Sequence, residues 1–150
     1  MSMKIVIACD HGGFTLKEKI KIWLEEAGYE VRDFGCYSSE SVDYPDLILP
    51  AAQALADREA DKGVFVCTTG IGVSICANKV KGVRCALCTD PMTARMTREH
   101  NDTNALAMGG GVVGENLAKE ILFTWLDTPF SGVARHQRRI DKISAYESQS

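Results

Sequence analysis

The sequence KIVIACDHGGFTLKEKIKIWLEEAG, residues 4–28, joins an apolar run, a glycine-containing turn and an amphipathic segment. The apolar run at 4–8 has no polar alternation, which is typical of a strand buried on both faces of a sheet. The segment after the turn carries apolar side chains at helical spacing, namely Leu16, Ile20, Trp23, Leu24 and Ala27. Residues 4–28 therefore predict one strand and one helix of a parallel α/β sheet.

The alternation of strand and helix patterns continues along the chain. Further strand-like runs, rich in Val, Ile, Leu and Cys, cover residues 30–33, 63–67, 84–88 and 105–108. Helical patterns cover about 46–60, 72–79 and 91–100, a fifth helix places Leu117, Ile121, Leu122 and Trp125 on one face, and a last helix begins near Arg135. With right-handed crossovers, this order predicts a single-domain, doubly wound α/β/α sandwich with a mostly parallel five-stranded sheet, which is Rossmann-like.

Two local signals mark the ends of the first helix. Thr15 and Glu18 have the spacing of a capping box, which predicts that the helix begins at Thr15. Gly28 follows the last apolar position and predicts the C-terminal stop.

The composition limits the possible functions. The 150 residues are 45% hydrophobic and 25% charged, which is typical of one globular domain spanning residues 1–150. With 17 Lys and Arg against 20 Asp and Glu, the net charge is −3, which disfavours nucleic-acid binding. No apolar run approaches ~20 residues and no signal-peptide layout is visible, so we expect a cytoplasmic protein without membrane association.

The six cysteines are too few for a disulfide scaffold, and a reducing cytosol keeps them as thiols. Cys85 and Cys88 have Cys-x-x-Cys spacing, but they lie within an apolar run and no second ligand pair follows. We therefore expect buried strand thiols here rather than a zinc or redox site.

Glycine-rich or titratable loops follow four of the strand-like runs, at residues 9–13, 67–72, 89–90 and 109–111. Because ligands of open parallel sheets bind beyond the carboxyl ends of the strands, these loops predict a site for a small polar ligand. In the second loop, Cys67 ends a strand and the chain turns through Gly70 and Gly72 into a helix. Its backbone amides predict an anion-binding nest that also favours the thiolate of Cys67 as base or nucleophile. The alternative is a structural turn with a buried cysteine.

Several familiar motifs are excluded in this loop. A Cys-x5-Arg phosphatase needs Arg where Val73 stands, and a dinucleotide fingerprint needs a third glycine where Ile75 stands. The chain also has no Gly-Lys-Ser/Thr phosphate loop, so nucleotide cofactors are disfavoured.

Other titratable residues leave two interpretations open. Asp10 and His11 follow the first strand and form either a ligand-facing pair or a structural pair. His100 lies at the end of a helix, where it is either a cation that stabilises the helix C-terminus or a general acid or base. Arg135 and Arg139 share one helical face. They form either a solvated basic surface or a pair of guanidinium groups that binds a phosphate.

Taken together, these motifs resemble the B-type ribose-5-phosphate isomerases of the ribose/galactose isomerase family. The resemblance covers nearly the whole chain and rests on Cys-Asp-His-Gly-Gly at 9–13, Asp-Tyr-Pro at 43–45, residues 67–79, residues 98–104 and Arg-His at 135–136. It implies an aldose–ketose isomerase of the pentose phosphate pathway that interconverts ribose 5-phosphate and ribulose 5-phosphate through an enediolate, without metal or cofactor. It also implies a homodimer, and further pairing into a tetramer stays open.

The resemblance also implies residue roles. Cys67 is the base, Thr69 assists proton movement and His100 promotes ring opening, with amides of residues 68–72 around the enediolate oxygen. The implied substrate-binding residues are Asp10, His11, Tyr44, Thr68, Gly70, Ile71, Gly72, Asn101, Arg135 and Arg139. In this family the segment with His100 and Asn101 comes from the second subunit.

Two departures from the family pattern concern the phosphate. Gly111 stands where the family commonly has Arg, and residues 132–135 contain an apparent one-residue insertion before Arg135. A glycine at this position leaves room for a longer sugar, so one alternative is an isomerase of a six-carbon sugar phosphate, of the allose 6-phosphate or galactose 6-phosphate type. An alternative from a different class is a non-catalytic sugar-phosphate sensor built on the same fold.

Overall fold

The computed structural model describes residues 2–149. In this part of the chain, strands and helices alternate nearly throughout. The elements are β1 (Lys4–Cys9), a 3₁₀ turn (His11–Gly13), α1 (Phe14–Glu26), β2 (Glu30–Asp33), α2 (Pro45–Ala56), β3 (Lys62–Cys67), α3 (Ile71–Asn78), β4 (Cys85–Leu87), α4 (Pro91–Asn101), β5 (Ala105–Gly109), α5 (Glu115–Asp127) and α6 (Ala134–Glu147).

The strands form one parallel sheet in the order β2-β1-β3-β5-β4. The chain therefore crosses from one side of β1 to the other after β2, which is the strand-order reversal at which open α/β sheets bind ligands. This arrangement confirms the predicted doubly wound α/β fold with a five-stranded, mostly parallel sheet.

Helices cover both faces of the sheet. α1, α4 and α5 pack on one face, α2 and α3 pack on the other, and α6 packs against α4. Alternate residues of β1 enter the two cores, with Ile5 and Ile7 on one side and Val6 and Ala8 on the other, all fully buried. This burial explains why β1 lacks polar alternation in the sequence.

The start of α1 differs from the prediction. The capping box at Thr15 is wrong: Gly13 occupies the cap position without a side-chain hydrogen bond, and Thr15 lies inside the helix. The carboxylate of Asp10 instead accepts hydrogen bonds from the Gly12 and Gly13 amides, at 2.9 and 3.2 Å, and so caps the preceding 3₁₀ turn. The predicted stop at Gly28 is confirmed, since Gly28 adopts a φ of +92° after the helix ends.

Two other element bounds are shorter than predicted. α2 ends at Ala56 rather than at residue 60, because the chain turns there and Arg58 adopts a φ of +61°. β4 covers Cys85–Leu87 alone, as an edge strand that pairs only with β5. Within residues 2–149, no helix is long and apolar enough to cross a bilayer.

A buried polar network holds the connection between α4 and β5. Arg98 is buried, and its guanidinium donates to the carbonyl oxygens of Thr103 at 2.7 Å and Thr128 at 3.0 Å and pairs with Asp102 at 2.9 Å. The indole of the fully buried Trp125 donates to Thr103 Oγ1 at 3.0 Å. The turn after α4 is therefore fixed to α5 by buried hydrogen bonds.

Thr103→Val should lower the free energy of unfolding by about 1–3 kcal/mol, because the buried Trp125 N–H then has no acceptor. Urea unfolding measures this loss. Thr128→Val is the matched control, since the Thr128 hydroxyl is half-buried and bonds within its own helix turn. Equal losses in the two variants would contradict the assigned cost of the unsatisfied indole.

Candidate active site

The carboxyl ends of β1, β3 and β5 lie side by side. The register pairs Cys9 with Val66 and Cys67 with Gly109, so three loops leave the sheet at one level. The Gly110 amide donates to the Cys67 carbonyl oxygen at 2.8 Å, which joins two of these loops directly. The glycine-rich loops predicted to form the site are thus neighbours.

Cys67 ends β3 and is 6% exposed. Its sulfur accepts a hydrogen bond from the Gly70 amide at 3.1 Å, as the loop folds back over the strand end. Gly70 has a φ of +81°, and a Cβ there would lie 2.8 Å from the Met108 carbonyl carbon. Only glycine therefore allows this turn, which presents an N–H group to the Cys67 sulfur.

The other amides of this loop fall into two groups. The Ile71 amide donates to Thr69 Oγ1 at 3.2 Å, so it is satisfied within the loop like the Gly70 amide. Gly72 lies in the first turn of α3, where amides have no acceptor inside the helix. The amide of Gly72 is thus open to an anion in a way that those of Gly70 and Ile71 are not.

Tyr44 lies against this same helix start. A Cβ on Gly72 would meet the Tyr44 ring at 2.8 Å and its hydroxyl oxygen at 3.0 Å. Tyr44 also occupies the N-terminal cap position of α2, and its carbonyl oxygen accepts from the Ile48 amide at 2.9 Å. The structure therefore brings Tyr44 beside the Cys67 loop, from a helix on the same face as α3.

Asp10 and His11 lie in the loop after β1, which contacts the Cys67 loop because Gly12 packs against Thr68. The Asp10 carboxylate is largely buried and one oxygen caps the 3₁₀ turn. His11 is exposed, and its Nδ1 accepts from the Val42 amide at 3.3 Å. These two residues thus have structural partners as well as positions at the predicted site.

A second group of predicted site residues surrounds the end of α4. A cavity of about 180 Å³ there is lined by Arg84, His100, Asn101, His136, Arg139, Ile140 and Ile143. The rings of His100 and His136 stack with centroids 4.3 Å apart and planes inclined by 19°. α6 therefore brings its basic face to His100.

His136 was not among the site residues predicted from the sequence. Burial, and next the neighbouring His100, Arg135 and Arg139, lower the pKa of His136 below its usual value. The neutral form of His136 is favoured, which suits a ring stacked on another imidazole among cations. The signal available in the sequence was its i, i+4 spacing from Ile140, which places both residues on the buried face of α6.

The two groups lie at opposite ends of the strands. The Cys67 group lies at the carboxyl ends, the carboxyl edge of the sheet, and the His100 group lies at the amino ends, the amino edge. Cys67 pairs with Gly109 at the carboxyl end of β3, whereas Gly63 pairs with Ala105 at the amino end. His100 lies in the last turn of α4, which runs back from the carboxyl edge and finishes just before β5 begins. Strands rise about 3.3 Å per residue, so ~13 Å of strand separates the two edges, and Cys67 and His100 do not meet within one chain.

The approach to α6 is tied to the end of α4. The Ser131 hydroxyl donates to the Glu99 carbonyl oxygen at 2.6 Å, and Gly132 turns the chain with a φ of +72°. Arg135 and Arg139 follow at i, i+4 in α6. Gly111 lies instead at the carboxyl edge, beside the Cys67 loop. It is exposed there, and its amide donates to the Thr68 carbonyl oxygen at 2.8 Å.

Cys85 and Cys88 lie at the edge strand β4. Burial raises the pKa of Cys85 above its usual value and that of Cys88 to about 11, so both favour the thiol form. Among residues 2–149, no group of three or more His, Cys, Asp or Glu side chains is placed to hold a metal ion.

Comparisons with known proteins identify the family of the chain. The sequence model of the Ribose/Galactose Isomerase family matches residues 5–143. Ribose-5-phosphate isomerase B of Escherichia coli (strain K12) is 47% identical over 146 residues, 97% of each chain.

Two solved structures have closely similar folds. Ribose-5-Phosphate Isomerase B of Clostridium thermocellum is 52% identical with a TM-score of 0.95, and the match covers 98% of this chain and 99% of that one. Ribose-5-phosphate Isomerase B of Mycoplasma genitalium, solved with bound Ribulose-5-phosphate, is 39% identical with a TM-score of 0.95 over 100% and 99% of the two chains. These matches confirm the resemblance read from the sequence, and the chain belongs to the Ribose/Galactose Isomerase family.

Proposed function

We propose that this protein is an aldose–ketose isomerase that interconverts ribose 5-phosphate and ribulose 5-phosphate. The observation that carries the proposal is the position of Cys67, whose sulfur faces a backbone amide at the carboxyl edge of the sheet. Family membership supports the reaction class, and the bound ribulose-5-phosphate of the Mycoplasma genitalium relative supports the substrate.

In the proposed mechanism, Cys67 moves one proton of the open-chain sugar. The thiolate removes the proton from C2 of the aldose and returns it to C1, so that an enediolate forms and collapses to the ketose. Thr69 relays the proton between the neighbouring hydroxyl oxygens. The negative oxygen of the enediolate is stabilised by amides at the start of α3, of which that of Gly72 is open.

The surrounding side chains bind the sugar hydroxyls. Asp10, His11 and Tyr44 all lie at the carboxyl edge, on loops that contact the Cys67 loop. The amides of Gly70 and Ile71 are engaged within the loop, so their role is to shape the anion site. Polar groups placed to hydrogen-bond hydroxyls reject a ligand that lacks the matching hydroxyls.

The opposite positions of Cys67 and His100 support a homodimer with shared sites. His100 would then promote ring opening, with Asn101, at the Cys67 loop of the partner subunit. Arg135 and Arg139 would hold the phosphate at the same place, because α6 packs on α4. A single chain offers no way to bring these groups within reach of one pentose.

An apolar surface runs between the two groups. Its exposed side chains are Ile71 and Ile75 on α3, Leu87 on β4, and Met92 and Met96 on α4. Ile71 adjoins the Cys67 loop, and a groove of about 420 Å³ along this surface reaches His100 and Asn101. A two-fold interface buries the same patch on both subunits, so it would lay one end of the patch over the other.

Gly111 favours a second candidate, an isomerase of a six-carbon sugar phosphate. Gly111 has no side chain above Thr68, which leaves room for a longer sugar at the rim of the site. A sensor without catalysis fits the fold but gives no reason for Cys67, Thr69 and His100. Deuterium exchange at C1 or C2 separates an enzyme from a sensor, and a panel of aldose phosphates separates the substrates. A cytoplasmic location stays a prediction.

Cys67→Ala should lower kcat by about 10²–10⁴-fold, because the variant lacks the proton-transfer group. The measurement is ketose formation from ribose 5-phosphate, with circular dichroism as the test of folding. Iodoacetamide should inactivate the parent protein, and saturating sugar phosphate should protect it.

Cys76→Ala is the control for this change, since Cys76 is also buried but lies in the second half of α3, away from the loop that contains Cys67. Its activity should stay near that of the parent. If Cys67→Ala retained full activity, another proton acceptor would have to be the base.

His100→Asn should slow turnover of the cyclic sugar more than turnover of an open-chain substrate, because its proposed step is ring opening. In a shared site, mixing inactive Cys67→Ala and His100→Asn subunits should restore activity, since each heterodimer contains one intact site. Subunit exchange is checked with differently tagged chains. Exchange without recovery would mean that Cys67 and His100 do not belong to one shared site.

Arg135→Ala and Arg139→Ala should each raise KM by about ten- to a hundredfold, because each loses a charged hydrogen bond to the phosphate. If the contact is equal in ground and transition states, kcat should change less than KM. Arg138→Ala is the control on the same helix, since Arg138 is a cation of α6 that belongs neither to the i, i+4 pair of Arg135 and Arg139 nor to the lining of the cavity beside His100. If all three variants had the parent's KM, the phosphate would not be held by α6.

A further inference from the structure

Lys17, in the first half of α1, is a lysine with a fully buried side chain. Its Nζ lies 2.7 Å from Asp33 Oδ2 and 2.7 Å from Glu18 Oε1, and 5.4 Å from the ring centres of Phe14 and Tyr37. A buried cation is costly unless it is paired, so these contacts fix where Asp33 can lie. The proposed reaction gives no role to Lys17.

Asp33 in turn fixes the start of residues 34–43, the segment that connects β2 to α2. Its Oδ1 accepts from the Gly35 amide at 2.8 Å, and its carbonyl oxygen accepts from the Tyr37 hydroxyl at 2.8 Å. The segment is also paired with the end of β1, because the Cys9 amide donates to the Gly35 carbonyl oxygen at 2.6 Å. The Lys17–Asp33 pair therefore anchors this segment beside the loop of Asp10 and His11.

The far end of the segment contacts His11. The Val42 amide donates to His11 Nδ1 at 3.3 Å, while the Val42 side chain packs against the core. An imidazole nitrogen that accepts a hydrogen bond carries no proton, so the neutral ring must carry its proton on Nε2. Among residues 2–149, His11 Nε2 has no hydrogen-bond partner, which leaves this N–H for a ligand.

We propose that Lys17 is a positioning residue for substrate binding. Through Asp33 it holds residues 34–43 so that the Val42 amide keeps His11 in the Nε2–H tautomer, and His11 thereby donates a hydrogen bond to an oxygen of the sugar. The hydrogen bond from His11 to the sugar rests on the proposed function, whereas the His11 tautomer and its dependence on Lys17 do not.

The tautomer is measured in the ligand-free protein. Long-range ¹H–¹⁵N spectra of protein labelled with ¹⁵N-histidine distinguish a protonated ring nitrogen from an unprotonated one, and the chain has only three histidines to assign. We expect an unprotonated Nδ1 and a protonated Nε2 for His11 at mildly alkaline pH. A proton on Nδ1 in the parent protein would overturn the proposal.

Lys17→Met tests the link to the buried pair. We expect the His11 signals to shift toward a mixture of tautomers, and KM for ribose 5-phosphate to rise by about three- to tenfold with a smaller change in kcat. Lys19→Met is the matched control, because Lys19 lies on the same helix and pairs with Glu115 at the surface. Parent-like spectra and KM in Lys17→Met would overturn the proposal.

Two further changes cover the case in which Lys17→Met does not fold. Asp33→Asn keeps the shape of the side chain and removes its charge, and we expect the same change at His11. Val42→Pro removes the donated N–H together with the valine side chain, whereas Val42→Ala removes the side chain and keeps the N–H, so only the proline variant should alter the tautomer. If neither Lys17→Met nor Asp33→Asn folds, the pair serves stability and the positioning proposal is rejected.

The two proposals fail separately. A parent protein with the Nε2–H tautomer but no isomerase activity would refute the proposed function and leave the positioning role intact. An active isomerase with His11 in the other tautomer would do the reverse.

Discussion

Close approach of backbone at the carboxyl edge of β1, β3 and β5 is the constraint on which the rest of the structure depends. A Cβ on Gly13 would overlap the Val66 carbonyl group, and a Cβ on Gly109 would lie 2.6 Å from the Thr69 carbonyl carbon. Three loops can therefore share one edge only because glycine leaves room between them. This contact sets the height at which Cys67 ends its strand and the direction in which the chain turns into α3.

The parallel topology then separates the other candidate residues from this edge. Each helix returns the chain to the amino edge, so a residue at the start of a helix lies near the carboxyl ends of the strands and a residue at its end lies near the amino ends. Ile71 opens α3 beside Cys67, whereas His100 closes α4 beside the start of β5. The same rule that makes the fold regular would leave the proposed site incomplete in one chain, and this is the physical ground on which we propose a second subunit.

The sequence was most informative where a pattern depends on local burial. The strand at Lys4–Cys9 could be predicted because every residue from Ile5 onward is buried. The turn at Gly28 could be predicted because glycine readily adopts the positive φ at which helices end. The capping box at Thr15 was wrong because a carboxylate from the preceding loop already caps the turn, which is a contact that helix spacing does not encode. His136 was missed for a related reason, since its partner ring belongs to another helix.

Two buried cations show what a sequence alone could not supply. Lys17 and Arg98 are both excluded from solvent, and each binds groups on a segment that adjoins a candidate site histidine. Lys17 holds the segment whose amide meets His11, and Arg98 holds the turn that follows His100. In a sequence each is one charge in an amphipathic helix, with nothing to mark it as buried. Because a buried charge tolerates few arrangements of its partners, these cations turn two flexible connections into fixed ones, one at each edge of the sheet.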